Sequence, residues 1–204
     1  MKIAIGFITY NNSTAKYLPF FVPSLKVALG VEKNYSILAI DNSDQEENEN
    51  KAYLRDNYPE IVLSYAGSNL GFARAYNLMI KRASDLGAEY FLMINPDTVL
   101  APDSIAKLIE ALDNDKSLGA VAPRIFQWDF KNNIRTKTID SDGVSVTSSH
   151  RFSDRHQGEE LAGSEPEMIF GFTGAAALIR MEALTAAAYN NHGRLEYLDE
   201  LMFM

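Results

Sequence analysis

The sequence predicts an α/β fold with a mainly parallel β-sheet flanked by helices. Short apolar runs alternate with helical patterns through the first 125 residues, as strands and crossover helices do in such a sheet. The runs are apolar at consecutive positions, which is typical of strands covered on both faces. The predicted strands are 2–8, 35–40, 61–65, 90–94 and 118–122.

Two helices are predicted between these strands. In 103–112, Pro102 and Asp103 form a start signal, and the apolar residues recur at helical spacing. Helix 71–84 buries one apolar face, and Gly87 fits its C-terminal stop. Apart from Asp41, residues 41–51 are interpreted as an acidic loop and helix start. Residues 127–166 are a polar excursion with three short β-like pieces.

Composition narrows the functional classes. The chain has 204 residues, 47% of them hydrophobic, so it is long enough for a full core. Its net charge of −8 disfavours nucleic-acid binding. The absence of cysteine excludes disulfides and thiolate chemistry, and His150, His156 and His192 lack a metal-binding spacing. The N-terminal apolar run is too short to span a membrane and is interpreted as a buried strand.

Polar clusters follow three of the predicted strands. In an open parallel sheet, ligands bind at the carboxyl ends of the strands. Each cluster alone is explained equally well by the preference of such residues for strand ends and helix caps, but three together favour a binding site. The clusters are Thr9-Tyr10-Asn11, Asp41-Asn42-Ser43 and Asn95-Pro96-Asp97-Thr98.

Asp97 is the strongest candidate for a functional residue in these clusters. An apolar strand carries it to the sheet edge, and Pro96 restricts the backbone before it. A carboxylate there suits Mg²⁺ or Mn²⁺, which take one or two protein carboxylates together with water and substrate phosphates. The alternative makes Asp97 a residue of a type I turn, and the two interpretations have equal support.

The start of the second helix is a further candidate for ligand binding. Its free N–H groups and dipole favour an anionic or polar ligand, and Asn69 is placed to cap it. Gly67 and Gly71 permit close approach, but no GxGxxG or P-loop pattern is present. Arg74 faces either phosphate or solvent.

In its three polar clusters and the start of its second helix, the chain resembles the inverting glycosyltransferase family 2, especially its rhamnosyltransferase-like members. The resemblance implies a GT-A (Rossmann-like) fold of the nucleotide-diphospho-sugar transferase type over nearly the whole chain. The matching pieces, in order, are 8–11, 39–43, 69–73 with Asn77, 94–98, 171–175 and 198–200.

The resemblance assigns roles to particular residues. It implies that Thr9, Tyr10 and Asn11 line the nucleotide pocket and that Asp41 bonds the base or ribose. It also implies that Asn69, Gly71, Asn77 and Asn95 border the nucleotide-sugar. Asn95-Pro96-Asp97 stands where the family often has Asp-x-Asp, which makes Asp97 the expected ligand of Mg²⁺ or Mn²⁺. Residues 171–177 resemble the acceptor-side wall, although as plain sequence they also fit a core strand or helix.

The C-terminal residues depart from the family. In similar proteins a Glu-Asp pair follows soon after the stretch that starts at Asp199 and Glu200, and its aspartate is the general base. We therefore expect the base beyond Met204 and a C-terminal half that is incomplete. Asp199 and Glu200 either shape the acceptor pocket or cap a short helix.

The resemblance implies a single GT-A domain over 1–204, with a nucleotide-sugar-binding half in 1–125 and an acceptor-side half in 126–204. The expected reaction moves a sugar from a UDP- or dTDP-sugar to a hydroxyl of a glycan or lipid-linked acceptor, in polysaccharide biosynthesis for the cell envelope. The expected location is the cytoplasm, with peripheral membrane contact in a full-length protein. Sugar, nucleobase, acceptor and oligomeric state are not specified by the sequence.

Two other functions compete with this one. A donor-binding module without transfer activity is consistent with Asn95 and with the missing base. A sugar-nucleotide pyrophosphorylase would share the α/β layout, but a glycine-rich, basic loop would follow its first strand. Residues 9–13 are neither glycine-rich nor basic.

Overall fold

The computed structural model describes residues 2–30, 34–160, 163, 165–191 and 194–198. Its strands are β1 (Ile3–Thr9), β2 (Tyr35–Asp41), β3 (Val62–Tyr65), β4 (Tyr90–Ile94), β5 (Ala120–Val121), β6 (Ile125–Asp129), β7 (Ile134–Ser141), β8 (Val144–Val146), β9 (Phe152–Asp154), β10 (Ala176–Arg180), β11 (Tyr189–Asn191) and β12 (Arg194–Glu196). Its helices are α1 (Asn11–Ala15), α2 (Leu18–Leu29), α3 (Glu49–Asn57), α4 (Gly71–Asp85), α5 (Ser104–Asn114) and α6 (Met181–Ala187).

A six-stranded sheet forms the centre of the molecule, in the order β3-β2-β1-β4-β10-β5. The strands β3, β2, β1 and β4 are parallel to their neighbours, whereas β10 is antiparallel to both β4 and β5. Strand β5 therefore runs in the same direction as β4. The carboxyl ends of all five parallel strands consequently meet at one edge, which is also where β10 begins.

Helices cover both faces of the sheet, which confirms the α/β prediction. Along β1, Ile5 and its alternate neighbours pack with Phe21 of α2 and Ile105 of α5. The opposite face packs against α4 through Tyr76 and Met79. Both faces of the central strands are thus buried, as the continuous apolar runs predict.

Gly6 permits the closest packing on the α4 face. A Cβ atom at this position would lie 2.4 Å from the Phe91 ring and 3.2 Å from the Met79 sulfur. The missing side chain allows the Phe91 ring to lie directly against β1. Replacement by any larger residue would force this ring to move.

Several predicted boundaries need correction. Strand β5 has two residues rather than the predicted 118–122, because at the sheet edge it pairs with β10 alone and only over Ala120 and Val121. The sheet is mainly parallel, as predicted, and β10 is the antiparallel strand within it; the sequence did not identify β10, whose first residues, Ala176 and Ala177, belong to a segment that fitted a strand or a helix equally well. The predicted polar excursion, 127–166, covers most of the hairpin β6–β7, which begins at Ile125, and all of β8–β9; these are four strands rather than three β-like pieces.

The helix predictions are close to the structure. Helix α4 ends at Asp85, followed by Gly87 with φ 70°, so the predicted glycine stop is confirmed. Helix α5 starts at Ser104, one residue later than predicted, and the Asp103 side chain forms no cap but pairs with Lys107 at 2.6 Å. No helix in the described ranges is long and apolar enough to cross a bilayer.

Candidate functional site

A cavity of about 590 Å³ lies at the carboxyl edge of the sheet. The end of β1, the loops after β2 and β4, the start of α4 and the segment around α1 contribute its walls. The lining residues are Ile8, Tyr10, Ser13, Thr14, Lys16, Tyr17, Asn42, Asn69, Gly71, Phe72, Asn95, Pro96 and Asp97. The structure thus gathers residues from all three polar clusters and from the second helix start at one place.

Five of the predicted site residues line this cavity, namely Tyr10, Asn69, Gly71, Asn95 and Asp97. The parallel strands explain this, because β1 and β4 are parallel neighbours whose carboxyl ends lie at the same edge of the sheet. The start of α4 reaches the cavity since it follows β3 at the same edge. Their roles toward a ligand stay predictions.

Thr9 and Asp41 lie beneath the cavity instead of lining it. They face each other in the register of β1 and β2 and are 0% and 1% exposed. The Asp41 Oδ1 atom accepts hydrogen bonds from the Thr9 hydroxyl at 3.0 Å and from the Ser43 backbone N–H at 3.1 Å, and it also accepts one from the Ser43 hydroxyl. Asn48 Nδ2 donates to Oδ2 at 2.6 Å. Both oxygens of the carboxylate are therefore hydrogen-bonded within the protein.

Asn11 also bonds to the protein and does not line the cavity. Its backbone lies in the left-handed region with φ 44°, and its N–H donates to the Ser43 hydroxyl at 2.7 Å. The side-chain amide exchanges bonds with Asp44, donating to Oδ2 at 2.9 Å and accepting the backbone N–H at 3.1 Å. Asn11 thus ties the segment after β1 to the segment after β2.

Asn77 lies away from the cavity, inside α4, and is 8% exposed. Its Oδ1 atom accepts the backbone N–H groups of Tyr197 and Leu198, both at 2.9 Å, and its Nδ2 donates to the Leu198 carbonyl at 2.9 Å. The structure thus places this side chain against the chain just before Asp199, whereas the resemblance implies a place beside the nucleotide-sugar. Asp199, Glu200 and His192 lie outside the described residues.

The turn from Asn95 to Asp97 is bonded to the loop that precedes β10. The Asn95 N–H donates to the Ala175 carbonyl at 2.8 Å, which ties the end of β4 to the loop that enters β10. Pro96 is buried, whereas Asp97 is exposed and lines the cavity. The prediction of a turn after β4 is confirmed, and a turn is compatible with a metal ligand at Asp97.

Tyr76 supports this turn from below. Its ring is fully buried, and its hydroxyl donates to the Ile94 carbonyl at 3.1 Å. Burial raises the pKa of the Tyr76 hydroxyl far above its ordinary value, and the negative charge of Asp97 acts in the same direction. Tyr76 is therefore a neutral hydrogen-bond donor beneath the cavity.

Asn42 and Asn69 hold the start of α4 against the end of β2. Asn42 Nδ2 donates to the Gly71 carbonyl at 3.1 Å, and its Oδ1 accepts the Leu70 N–H at 3.4 Å. The N-cap position belongs to Leu70 rather than to the predicted Asn69, but Asn69 Oδ1 accepts the Gly71 N–H at 2.8 Å. Gly71 has φ 74°, a backbone conformation that glycine tolerates without strain.

Sequence reasoning missed one whole wall of the cavity. Ser13, Thr14, Lys16 and Tyr17 line it, and they come from α1 and the turn after it. The available signal was the polar run directly after β1, which continues past the predicted cluster. Phe72 was expected only as a buried helix residue, yet it is half-buried and also lines the cavity.

The described residues hold no group of three or more His, Cys, Asp or Glu side chains that could hold a metal ion by themselves. His150 and His156 lie in loops, and His156 Nδ1 is 2.9 Å from the Asp142 carboxylate. Asp97 is the one carboxylate among the described residues that line the cavity. This donor set fits a cation shared with a ligand's phosphates, and it does not fit a cation held by the protein alone.

Comparison with known proteins agrees with this architecture. Residues 5–186 match the family described as Glycosyl transferase family 2. The chain is 29% identical over 126 residues to the N-acetylglucosaminyl-diphospho-decaprenol L-rhamnosyltransferase of Mycobacterium tuberculosis, in each of two strains, and the match covers 58% of this chain and 39% of that protein. The chain therefore spans about two fifths of the length of these curated relatives.

Solved structures share the fold at low sequence identity. The mannosyltransferase PcManGT from Pyrobaculum calidifontis, in complex with GDP-Man and Mn²⁺, matches with a TM-score of 0.56 and 17% identity, covering 91% of this chain and 46% of that one. S. aureus TarS 1-349 in complex with UDP matches with a TM-score of 0.57 and 14% identity, covering 91% and 48%. With the family match over most of its length, the chain belongs to glycosyl transferase family 2 and has the GT-A fold.

Proposed function

We propose that the protein transfers a sugar from a nucleoside-diphosphate sugar, a UDP- or dTDP-sugar, to an acceptor hydroxyl with inversion at the anomeric carbon. The observation that carries this proposal is the cavity at the carboxyl edge of the sheet, where Asp97 and the start of α4 meet. Open α/β sheets bind nucleotides at this edge. Membership of glycosyl transferase family 2 supplies the reaction class.

The cavity suits a donor of this kind in size and chemistry. Its volume of about 590 Å³ lies within the range of roughly 300–1,000 Å³ that is usual for small-molecule sites. The Tyr10 ring offers a surface for a nucleobase, and the amides of Asn42, Asn69 and Asn95 offer both donors and acceptors. The structural neighbours in complex with GDP-Man and with UDP support a nucleotide ligand.

Asp97 would hold a divalent cation, Mg²⁺ or Mn²⁺, together with the donor diphosphate. The exposed carboxylate beside the neutral Asn95 fits this shared arrangement. When bound, the cation would neutralise charge on the departing diphosphate. The neighbour that contains Mn²⁺ supports the proposal.

The acceptor would approach along the loop that precedes β10. A Cβ atom on Gly174 would lie 3.1 Å from the Phe72 ring, so this loop packs directly against a cavity wall. A glycan or a lipid-linked acceptor is proposed, and the name of the mycobacterial relative supports the lipid-linked class. Such an acceptor would place the protein in the cytoplasm, at the membrane face.

Donor binding without transfer is the second candidate. It is favoured by the cavity's single carboxylate, since the described residues offer no second acid that lines it and would accept the acceptor proton. Asp199 and Glu200 are proposed to shape the acceptor side. The two candidates share the donor site and differ in turnover.

Calorimetric titration of UDP and dTDP, each with and without Mn²⁺, tests the shared donor site. We expect metal-dependent binding that Asp97→Ala abolishes, while Asp103→Ala, an exposed aspartate paired with Lys107, leaves binding unchanged. Nucleotide binding that is unaffected both by Mn²⁺ and by Asp97→Ala would overturn the proposed role of a cation held by Asp97. A transfer assay with the same donors then decides between enzyme and binding module.

A further inference from the structure

Two charged side chains line the cavity, Asp97 and Lys16, and the other described lining residues are uncharged. A nucleoside diphosphate carries two or three negative charges, so Asp97 alone repels it. Lys16 is the positive charge placed to attract it. Neither the sequence patterns nor the matched family pieces in this chain single out Lys16.

No carboxylate among the described residues neutralises the Lys16 ammonium. Five other lysines pair with carboxylates: Lys26, Lys51, Lys81, Lys107 and Lys116. In the part of the chain that the structure describes, no carboxylate lies within ion-pair distance of Lys16. Its charge therefore remains available to a ligand in the cavity.

The Lys16 ammonium is instead held on an aromatic ring. Its Nζ atom lies over the ring of Tyr17, 4.7 Å from the centroid, and Tyr17 itself lines the cavity. A cation over an aromatic face is attracted by the ring quadrupole but keeps its hydrogen-bond donors. The ring thus orders the lysine without consuming its charge.

Phe130 holds the Tyr17 ring in turn. It lies at the tip of the β6–β7 hairpin, and its ring centroid is 5.0 Å from that of Tyr17 and 5.4 Å from that of Phe20. Asp129 fixes the hairpin turn by accepting the N–H groups of Lys131 and Asn132 at 3.0 and 3.1 Å. A hairpin from the C-terminal half therefore supports a wall of the donor cavity.

We propose that Lys16 binds the diphosphate of the donor, and that Tyr17 and Phe130 are positioning residues for its ammonium. This inference rests on the proposed donor site. An ammonium binds phosphate as a compact point charge, which complements a cation at Asp97.

The test measures UDP and dTDP affinity by calorimetry for the intact chain and for Lys16→Met, which keeps the length and apolar stem of the side chain. We expect affinity for the diphosphates to fall about tenfold or more, with a weaker dependence on salt. Inorganic pyrophosphate should compete with UDP less well for the variant than for the intact chain. Uridine and thymidine, which lack phosphate, should bind both proteins equally.

Unchanged diphosphate affinity and salt dependence in Lys16→Met would overturn the role of Lys16. A nucleoside affinity that falls as far as the diphosphate affinity would also overturn it, since the loss would then reflect a damaged cavity. If the intact chain binds no diphosphate at all, the donor site itself fails. The two proposals are thus tested separately.

A double-mutant cycle tests the positioning role of Phe130. We expect Phe130→Ala to weaken diphosphate binding in the intact chain but to have little further effect in Lys16→Met. Phe130→Leu, which keeps an apolar contact, should restore part of the affinity. If Phe130→Ala lowered diphosphate affinity equally in the intact chain and in Lys16→Met, positioning through Lys16 would be contradicted. Thermal unfolding of each variant verifies that it folds.

Discussion

The Thr9 hydroxyl donates a hydrogen bond to the Asp41 carboxylate at 3.0 Å, and both side chains are buried where two neighbouring parallel strands end. This bond joins β1 to β2 beneath the cavity. Asn48 and Ser43 complete the bonding of the same carboxylate. The layer beneath the cavity is therefore a polar network whose members bond to one another within the protein.

Asp41→Asn should destabilise the fold by about 1–3 kcal/mol, because its new amide would face the Asn48 amide and leave buried donors without acceptors. Urea unfolding of the two proteins measures the difference. Asp56→Asn, at an exposed position on α3, is the control and should change stability by less than about 0.5 kcal/mol. Equal stability of Asp41→Asn and the parent would show that the network does not contribute.

Asn77→Ala should loosen the segment at Tyr197 and Leu198, since it removes the three hydrogen bonds that hold this backbone to α4. Hydrogen exchange at the Leu198 amide should accelerate well beyond the exchange in the centre of α4. Leu78→Ala, at an exposed neighbouring position of the same helix, serves as the control. Uniform acceleration over the whole chain would instead indicate global destabilisation.

The Asp129 turn should respond to pH. The hydrogen bond from the Asn132 side chain holds the pKa of the Asp129 carboxyl below its ordinary value, and backbone N–H groups add to this effect. The stabilisation is therefore present above the ordinary aspartate pKa of about 3.9 and is lost as pH falls through the lower folded value.

We accordingly expect the difference in Tm between the parent and Asp129→Asn to be largest near pH 7 and to shrink below about pH 4. Differential scanning fluorimetry across this range measures it. Asp154→Asn, an exposed aspartate in the other hairpin, is the matched control. A difference that grows on acidification would contradict the assigned cause.

Arg180→Met should cost about 2–3 kcal/mol of stability, because the buried guanidinium serves several acceptors at once. It donates to the Leu118 carbonyl at 2.8 Å and to the Tyr90 hydroxyl at 3.1 Å, and it also donates to the Leu112 carbonyl at the end of α5. Chemical denaturation against Arg55→Met, an exposed arginine, gives the comparison. A cost no larger than that of Arg55→Met would contradict this structural role.

Sequence patterns located the elements that local periodicity encodes. Apolar runs gave the parallel strands, and the spacing of residues such as Tyr76 and Met79 gave α4. The same patterns did not reveal the antiparallel strand β10, since small residues such as Ala176 and Ala177 fit several structures equally well. Only pairing with β4, a contact distant in sequence, decides this strand's direction.

The candidate site likewise has features that the sequence predicted and features that only the tertiary structure revealed. Polar residues after three of the strands predicted a binding site at the carboxyl edge, and Tyr10 and Asp97 line a cavity there. Whether a polar side chain faces the cavity or the protein depends on partners that other segments bring. Asn48 bonds Asp41 from the following helix cap, and Leu198 bonds Asn77 from 121 residues away.

The sequence by itself determined the α/β class, the order of the parallel strands with α4 and α5, and the edge of the sheet at which polar residues collect, because these follow from local runs and spacings of apolar and polar residues. Only the tertiary structure decided that Thr9, Asp41 and Asn77 bond internally, and that Phe130 packs against Tyr17 beside Lys16. The physical reason is that a side chain's hydrogen bonds and ring contacts are made with whichever groups the fold brings near, and those groups are far apart in the chain.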